Sequence, residues 1–324
     1  MGGVTDGSAI RLATVADAEE LGITWPSGGD LQRLCVLPGP HGQILAAASL
    51  LIEPKCLRGA GSVCHVCEVL PGAATASRIA LLQALVNVAL FERCYKAIID
   101  APPSESALLG ECGFEPNSLT MMRLLQPRAA SADASSSTYD CAPRTLGVRP
   151  AGSAMEYELR PLVESHTSGS YLALLQQLSK APPLSDQTFR RQISRFRSAN
   201  GMHLVLVVTD PTQRPLAGDA PQLFGCATLL FERLPAAPLG DLVARLEDVV
   251  VDAAARGTGL GRRMIDSVVS LAQERGANAV TLNCSEANEA FYAKCGFVRA
   301  TPGEACFARY LTMSSVPSHV AMHT

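Results

Sequence analysis

The sequence predicts an α/β fold built twice in one chain, and three features predict it. A valine-rich run, a glycine turn and an amphipathic pattern follow one another in "LEDVVVDAAARGTGLGRRM", Leu246 to Met264, which is the strand–turn–helix order of an α/β unit. The second half of the chain repeats the first. A stretch rich in Ala, Ser and Pro lies between the two copies.

Each element follows from its residues. "DVVV" (248–251) is β-branched and suits a buried strand. After the turn, Leu260, Met264, Val268 and Leu271 recur at helical spacing, with Ile265 and Ala272 beside them. Arg262, Arg263, Asp266 and Glu274 fall largely on the other side. The repeat is read by sliding "ALFERCYKAIIDAPPSESALLGECGFEPNS" onto "LAQERGANAVTLNCSEANEAFYAKCGFVRA". Glu92-Arg93 then meets Glu274-Arg275, and Cys112-Gly113-Phe114 meets Cys295-Gly296-Phe297, with a single-residue gap between the matches. A repeat this long indicates a duplicated domain rather than a solenoid.

The copies differ where chemistry would sit. Opposite "RGTGLGR" the first copy has "AATASRI", without glycine. Opposite Glu247-Asp248 it has "CHVCEVL", whose one carboxylate is Glu68, and Glu105 and Leu109 stand opposite Asn288 and Tyr292. The first copy is expected to keep the fold and lack the site.

The segment between the copies has no hydrophobic periodicity and reads as a flexible linker. The expected organisation is a degenerate domain over 1–126, the linker over 127–155, a catalytic domain over 156–312 and a tail over 313–324. A chain of 324 residues, 48% hydrophobic, suffices for two packed cores. A net charge of −3 gives no basic field for nucleic acid. No apolar run reaches the roughly 20 residues of a membrane span, and the N-terminal residues lack the layout of a secretory signal. Gly2 does not open a myristoylation motif, because Asp6 stands where Ser or Thr is needed. The 11 cysteines are scattered and odd in number, which reads as reduced thiols in a cytoplasmic protein. "CHVC", Cys64 to Cys67, has no second pair at zinc-finger spacing; the expectation is a buried strand and no metal.

The glycine turn lies where a strand hands over to a helix N-terminus. There, unpaired backbone N–H groups and the helix dipole favour an anion. The turn lacks the Gly-Lys-Ser/Thr of a P-loop, and Gly257, Gly259 and Gly261 are spaced two apart, unlike the dinucleotide fingerprint.

The run Arg256-Gly257-Thr258-Gly259-Leu260-Gly261 fits Gln/Arg-x-x-Gly-x-Gly/Ala, the pyrophosphate-binding pattern of the GNAT superfamily of acyl-CoA N-acyltransferases. "NEAFYAKCGF", Asn288 to Phe297, resembles the family segment downstream of it. The resemblance implies tandem GNAT folds, each a central mixed, mostly antiparallel sheet flanked by helices. It implies acetyl-CoA as acetyl donor, held by Val249, Val250, Val251, the loop Arg256, Gly257, Thr258, Gly259, Leu260, Gly261 and Arg262, and by Asn288, Tyr292 and Lys294.

Over residues 156–311 the chain further resembles the eukaryotic glucosamine 6-phosphate N-acetyltransferases. The matching parts are the Leu246–Val251 strand, "LNCSEANEAFYAKCGF", Ser179 in the early helical part and Arg309 in "ACFARYL". That resemblance implies substrate contacts from Ser179, Glu247, Asp248, Asn283 and Arg309. Asn283 departs from the family, which has an acid there; an amide accepts hydrogen bonds but carries no charge.

For amine acetylation, the amine must lose a proton before it attacks a thioester. Glu247 is favoured for that task and for sugar contact. Adjacent strand residues point to opposite faces, so only one of Glu247 and Asp248 is expected to face the site. A backbone N–H near Val249 is expected to meet the developing oxyanion. Tyr292 matches the family tyrosine that protonates the leaving thiolate. Cys284 and Cys295 lack a nearby histidine and are read as packing residues. The family's homodimers imply that the first copy stands in for a second subunit, in an intramolecular pseudo-dimer. Arg123, placed like Arg309, would then be lent to the phosphate of the sugar. Acetylation of another small amine or a protein amine, and a non-catalytic acetyl-CoA-binding scaffold, are the alternative readings.

Overall fold

The two copies share the order strand, helix, three strands, helix, strand, helix, strand, and the second adds a helix and two short strands. The first copy contains β1 (Arg11–Leu12), α1 (Val15–Glu20), β2 (Gln32–Pro38), β3 (Ile44–Pro54), β4 (Ser62–Glu68), α2 (Thr75–Phe91), β5 (Cys94–Ala101), α3 (Ser106–Glu111) and β6 (Glu115–Leu124). The second contains β7 (Arg144–Thr145), β8 (Glu158–Pro161), α4 (Ser168–Leu175), α5 (Asp186–Ser198), β9 (His203–Thr209), β10 (Leu223–Arg233) and β11 (Leu242–Val251). It continues with α6 (Leu260–Glu274), β12 (Ala279–Cys284), α7 (Glu286–Lys294), β13 (Val298–Arg299) and β14 (Ala305–Tyr310). This computed structural model describes residues 10–22, 31–68, 72–125, 139, 141–150, 156–164, 168–212, 222–233, 242–300 and 305–310.

The mixed, mostly antiparallel character is as expected. Among the described residues the parallel pairs are β4–β5, with α2 crossing between them, and β11–β12, with α6 crossing between them. The apolar periodicity around Met264 sets α6 on the sheet: Leu260, Met264, Ile265, Val268, Val269, Leu271 and Ala272 are all buried. Among the described residues no helix is long and apolar enough to cross a membrane.

The strands join into one 14-stranded sheet in the order β1-β2-β3-β4-β5-β14-β6-β12-β11-β10-β9-β8-β7, with β13 beside β6. The copies trade their last strands. β14 of the second copy pairs with β5 of the first, and β6 of the first pairs with β12 of the second. Arg123 therefore runs opposite Val280, and Arg309 opposite Ala97, so the two arginines hold corresponding places on exchanged strands.

Side chains also bind the copies together. Leu31 and Leu51 share a buried cluster with Ala199 and Leu230, and Cys56, Leu57 and Met121 join the core of the second copy. Gln192 of α5 donates to the carbonyls of Lys55 (2.8 Å) and Ala60 (3.2 Å).

Part of the expected flexible linker is packed. β7 pairs with β8 at the sheet edge, and Leu146 is buried. Tyr139, 3% exposed, donates from its hydroxyl to the Leu162 carbonyl at 2.9 Å. Two apolar anchors in a polar stretch leave no periodic trace, so composition concealed them. Tyr139→Phe removes one buried hydrogen bond and is expected to lower stability by about 1 kcal/mol, read as a shift in the denaturant midpoint. Residues 127–138, 140 and 151–155 of the linker, and the tail 313–324, lie outside the described residues, as do the side chains of 307–310.

Candidate active site

β11 pairs with β12 only from Val243 to Leu246. Past Leu246 the strands part, and a cleft of about 490 Å³ opens along Val249, Val250 and Val251. Its far wall is α7, which presents Asn288, Phe291 and Tyr292; its floor is the turn Arg256, Gly257, Gly259, Leu260, Gly261 and Arg262. Gly257 and Gly259 have φ of 78° and 85°, backbone angles that glycine adopts without strain. Gly259 is the N-cap of α6 and brings no side chain to it; the Leu260 N–H reaches Thr258 Oγ1 at 3.4 Å, and the next N–H groups of the first turn are left to an anion. Arg256 is fixed at the rim, donating from Nε to the Val251 carbonyl (3.0 Å) and from Nη2 to Gln177 Oε1 (3.2 Å).

Thirteen residues were assigned to acetyl-CoA, and the cleft gathers most of them. Thr258 instead turns inward, donating to the Ala255 carbonyl at 2.8 Å. Lys294 is exposed on the last turn of α7 and does not line the cleft. Gln177, Leu178 and Phe291 line it without having been assigned. Gly259→Ala would force a side chain into φ near 85°, a cost of about 1 kcal/mol. We expect a roughly fivefold rise in the KM for acetyl-CoA with kcat nearly unchanged.

The acidic pair departs from the strand rule. Glu247 pairs with Thr228 and Val250 with Cys226, so Asp248 and Val249 together oppose Ala227 in a β-bulge. Asp248 takes φ of 50°, in the left-handed region that Asp tolerates better than most residues. The bulge cancels the alternation and turns both carboxylates toward one ammonium. Lys55 Nζ lies 3.0 Å from Asp248 Oδ2 and 3.8 Å from Glu247 Oε2. Strict strand alternation would have sent one of the two away from Lys55.

Lys55 belongs to the first copy, immediately after β3. It also contacts Glu53 Oε1 at 2.5 Å, and Glu53 Oε2 lies 3.0 Å from His65 Nε2. Burial pushes the Glu53 carboxyl up to about 7, against the pull of Lys55. Burial pulls the His65 imidazole down to about 4, so it is neutral near pH 7. Burial also works against the Lys55 ammonium, but Asp248, Glu53 and Glu247 outweigh it and hold its pKa well above the ordinary value. Glu247 is raised by burial, with Lys55 opposing.

None of Glu53, Lys55 or His65 was found from sequence as a site residue. A signal existed: "ILAAASLLIEPK" ends an apolar strand in an acid and a base, and a charge at a core position needs a partner. His65 of "CHVC" finds its partner in Glu53, while Cys64 is fully buried. Among the described residues no group of three His, Cys, Asp or Glu could hold a metal ion.

Asn283 sits on β12 beside β6. The Thr120 hydroxyl lies 2.9 Å from Asp100 Oδ1 and 3.1 Å from Asn283 Oδ1. That hydroxyl has one proton, and Asp100 takes it as the charged acceptor. With the amide turned over, its NH₂ donates to Thr120 and its carbonyl oxygen becomes the open acceptor. Asp100 in turn bonds Arg245 Nη1 at 2.9 Å. The first copy therefore sets a carboxylate one hydroxyl away from the amide. Glu247 Oε1 is buried without a partner among the described residues, a costly state unless a ligand completes it.

Tyr292 is 8% exposed and packs edge-on against Phe291 and Phe297. Burial raises its phenol well above the ordinary value. Cys284 and Cys295 are buried and their thiols raised by burial, as packing cysteines are.

Ser179 lines a second, open cleft with Arg58, Gln176, Lys180, Ala181 and Pro182. Arg58 comes from the first copy; its backbone N–H donates to the Lys180 carbonyl (3.1 Å), and its φ is 53°. Arg123 is carried to the second copy by β6, where it donates from Nη1 to the Cys295 carbonyl at 2.7 Å and lies 3.8 Å from Asp266. Arg309 is on β14 beside the first copy's β5, with its side chain outside the described set.

Residues 172–297 match the model of the acetyltransferase (GNAT) family. Glucosamine 6-phosphate N-acetyltransferase 1 of Oryza sativa subsp. japonica is 41% identical over 147 residues, covering 45% of this chain and 84% of the rice protein. The glucosamine 6-phosphate N-acetyltransferase of Trypanosoma brucei brucei is 35% identical over 144 residues, covering 44% of this chain and 90% of that protein. The crystal structure of glucosamine-6-phosphate N-acetyltransferase from Arabidopsis thaliana matches at 26% identity and a TM-score of 0.40, over 45% of this chain and 94% of that one.

Proposed function

Because the chain belongs to the GNAT family and is an acetyl-CoA-dependent N-acetyltransferase, we propose that it acetylates the amine of glucosamine 6-phosphate, in its second copy. The first copy completes the site as an internal partner, and the product feeds UDP-N-acetylglucosamine synthesis. The pyrophosphate of acetyl-CoA rests on the α6 N-terminus, between Arg256 and Arg262. The acceptor ammonium gives a proton to Glu247, and its lone pair attacks the thioester carbonyl. A backbone N–H on the unpaired edge of β11 near Val249 supports the oxyanion. The C–N bond forms and the C–S bond breaks; the thiolate takes the Tyr292 phenol proton, and the surplus proton on the nitrogen returns to the phenolate, which leaves a neutral amide, CoA thiol and the phenol restored. Asp248 and the Asn283 carbonyl orient the amine and a sugar hydroxyl.

One observation carries the choice of acceptor. The segment 176–179 lines both clefts: Gln177 and Leu178 face the thioester side, while Gln176 and Ser179 face the open cleft with Arg58 and Lys180. The cations and the hydroxyl of the open cleft suit an acceptor that carries a phosphate, and Glu247 and Asp248 directly precede the Val249–Val251 wall of the other cleft, on the side this reading gives to the amine. Of the two arginines assigned to phosphate from sequence, Arg123 is engaged by the Cys295 carbonyl just past α7, so this reading rests the phosphate on Ser179, Lys180 and Arg58.

The neutral Asn283 favours a second reading, acetylation of an amine other than an amino sugar phosphate. Steady-state acetyl transfer to glucosamine 6-phosphate, glucosamine, small polyamines and a lysine peptide separates the two. The first reading expects glucosamine 6-phosphate to exceed the rest at least tenfold in kcat/KM. Equal or better rates with another amine would sink it, and CoA binding with no transfer to any amine would leave a scaffold.

A further inference from the structure

Three carboxylates from the two copies converge on one buried ammonium. Lys55 Nζ meets Glu53 at 2.5 Å from its own copy, and Asp248 and Glu247 at 3.0 and 3.8 Å from the other. The ammonium is 4% exposed and its backbone is held on both sides. The Lys55 N–H donates to the Gly61 carbonyl at 2.9 Å, and its own carbonyl accepts from Gln192 Nε2 at 2.8 Å. Glu53, 0% exposed, is backed by His65 at 3.0 Å. Nothing in the pairing of strands requires a lysine here, and burying its charge is costly.

We propose that Lys55 is a positioning residue for acetyl transfer: its ammonium holds the Glu247 and Asp248 carboxylates together on the acceptor side and favours the charged form of Glu247, while Glu53 and His65 fix it in place. This rests on the assignment of Glu247 to the acceptor amine, whichever amine that is. Two adjacent buried carboxylates repel each other, and without a cation one of them keeps its proton. A protonated Glu247 cannot take the proton of the incoming ammonium. The bulge at Asp248 has its use in the same contact, since an alternating strand would send one of the two carboxylates away from Lys55.

The other groups around Glu247 do not replace that cation. From β4 comes His65, neutral near pH 7; from β5 come Tyr95 and Asp100; from α7 comes Tyr292; and Cys306 of β14 is a buried thiol. Arg245 of β11 is taken by Asp100 at 2.9 Å and by Glu232 of β10 at 3.1 Å. The cation that touches Glu247 and Asp248 is Lys55.

The test is the pH profile of kcat/KM in Lys55→Met, Lys55→Gln and Lys55→Arg, read beside CoA affinity and a ¹³C carboxyl titration of Glu247. The two neutral variants are expected to move the acid limb up by about one pH unit, so that kcat/KM falls about tenfold on the acid side of the limb and about twofold near pH 7. The loss falls in kcat more than in the KM for acetyl-CoA. Lys55→Arg keeps the charge and is expected to keep most of the limb. An unmoved limb in the neutral variants, with CoA affinity intact, overturns the proposal. Should neither neutral variant fold, the wild-type titration decides: Glu247 ionised at pH 7 supports it, and Glu247 protonated there overturns it. That titration uses no acceptor, so it stands apart from the glucosamine 6-phosphate reading, which fails on the amine panel alone.

Discussion

Tyr292→Phe is expected to lower kcat for acetyl transfer about 100-fold while leaving the affinity for CoA within twofold. The phenol lies in the cleft wall between the β11 strand and the Phe291–Phe297 packing. Phe keeps that packing, so the change isolates the proton. Burial holds the phenol protonated, so the acid form is the whole population at neutral pH. A thiolate leaving in the same apolar cleft is made more basic by the same desolvation. The sign of the pH effect follows. Because the Tyr292 pKa is raised, the wild-type alkaline limb from this group lies above pH 10, and kcat should stay level from pH 8 to about 10. Stopped-assay rates across that range, with both proteins, check the pair of statements. A Phe variant within threefold of wild type would remove Tyr292 from the chemistry.

Glu247→Gln is expected to lower kcat/KM at pH 7 about 100-fold and to abolish its acid limb. Gln keeps the shape and a hydrogen-bond acceptor, and loses the ability to take a proton. In the wild type, burial raises the Glu247 carboxyl, so activity requires the ionised form and falls as pH drops through a pKa above the ordinary carboxylate value. With Gln there is nothing to protonate. The profile of the variant should be low and flat on the acid side. A variant that retains a wild-type limb would move the base to another group, with Asp248 the first to examine, since it shares the Lys55 contact.

The glycine-turn wall of the cleft was legible in the sequence because it is local. Strand, turn and helix are contiguous from Leu246 to Glu274, and the positive φ of Gly257 and Gly259 is what the glycines announce. Tyr292 follows from the family resemblance of one short segment, Asn288 to Phe297. The acceptor side was legible only in half, because it is assembled from strands far apart in the chain. Glu53, Lys55 and His65 reach Glu247 through the packing of β3 and β4 against the second copy, which no repeat alignment registers. The convergence of Glu247 and Asp248 depends on a bulge, and period-two reasoning assigns them to opposite faces by default. The duplication itself was readable, but the exchange of β6 and β14 was not: either pairing buries the same apolar faces. Tyr139 shows the same limit in the linker, where one aromatic side chain with a buried hydroxyl partner orders a stretch whose composition suggests none.

The central claim is that the second copy moves acetyl to the amine of glucosamine 6-phosphate. A single-turnover experiment addresses it most directly: the full chain, in excess over radiolabelled acetyl-CoA, is mixed with glucosamine 6-phosphate, and the label is followed. One N-acetylglucosamine 6-phosphate is expected for each CoA released, at a rate no slower than kcat. Label that stays on bound CoA, or that leaves as free acetate, would contradict it.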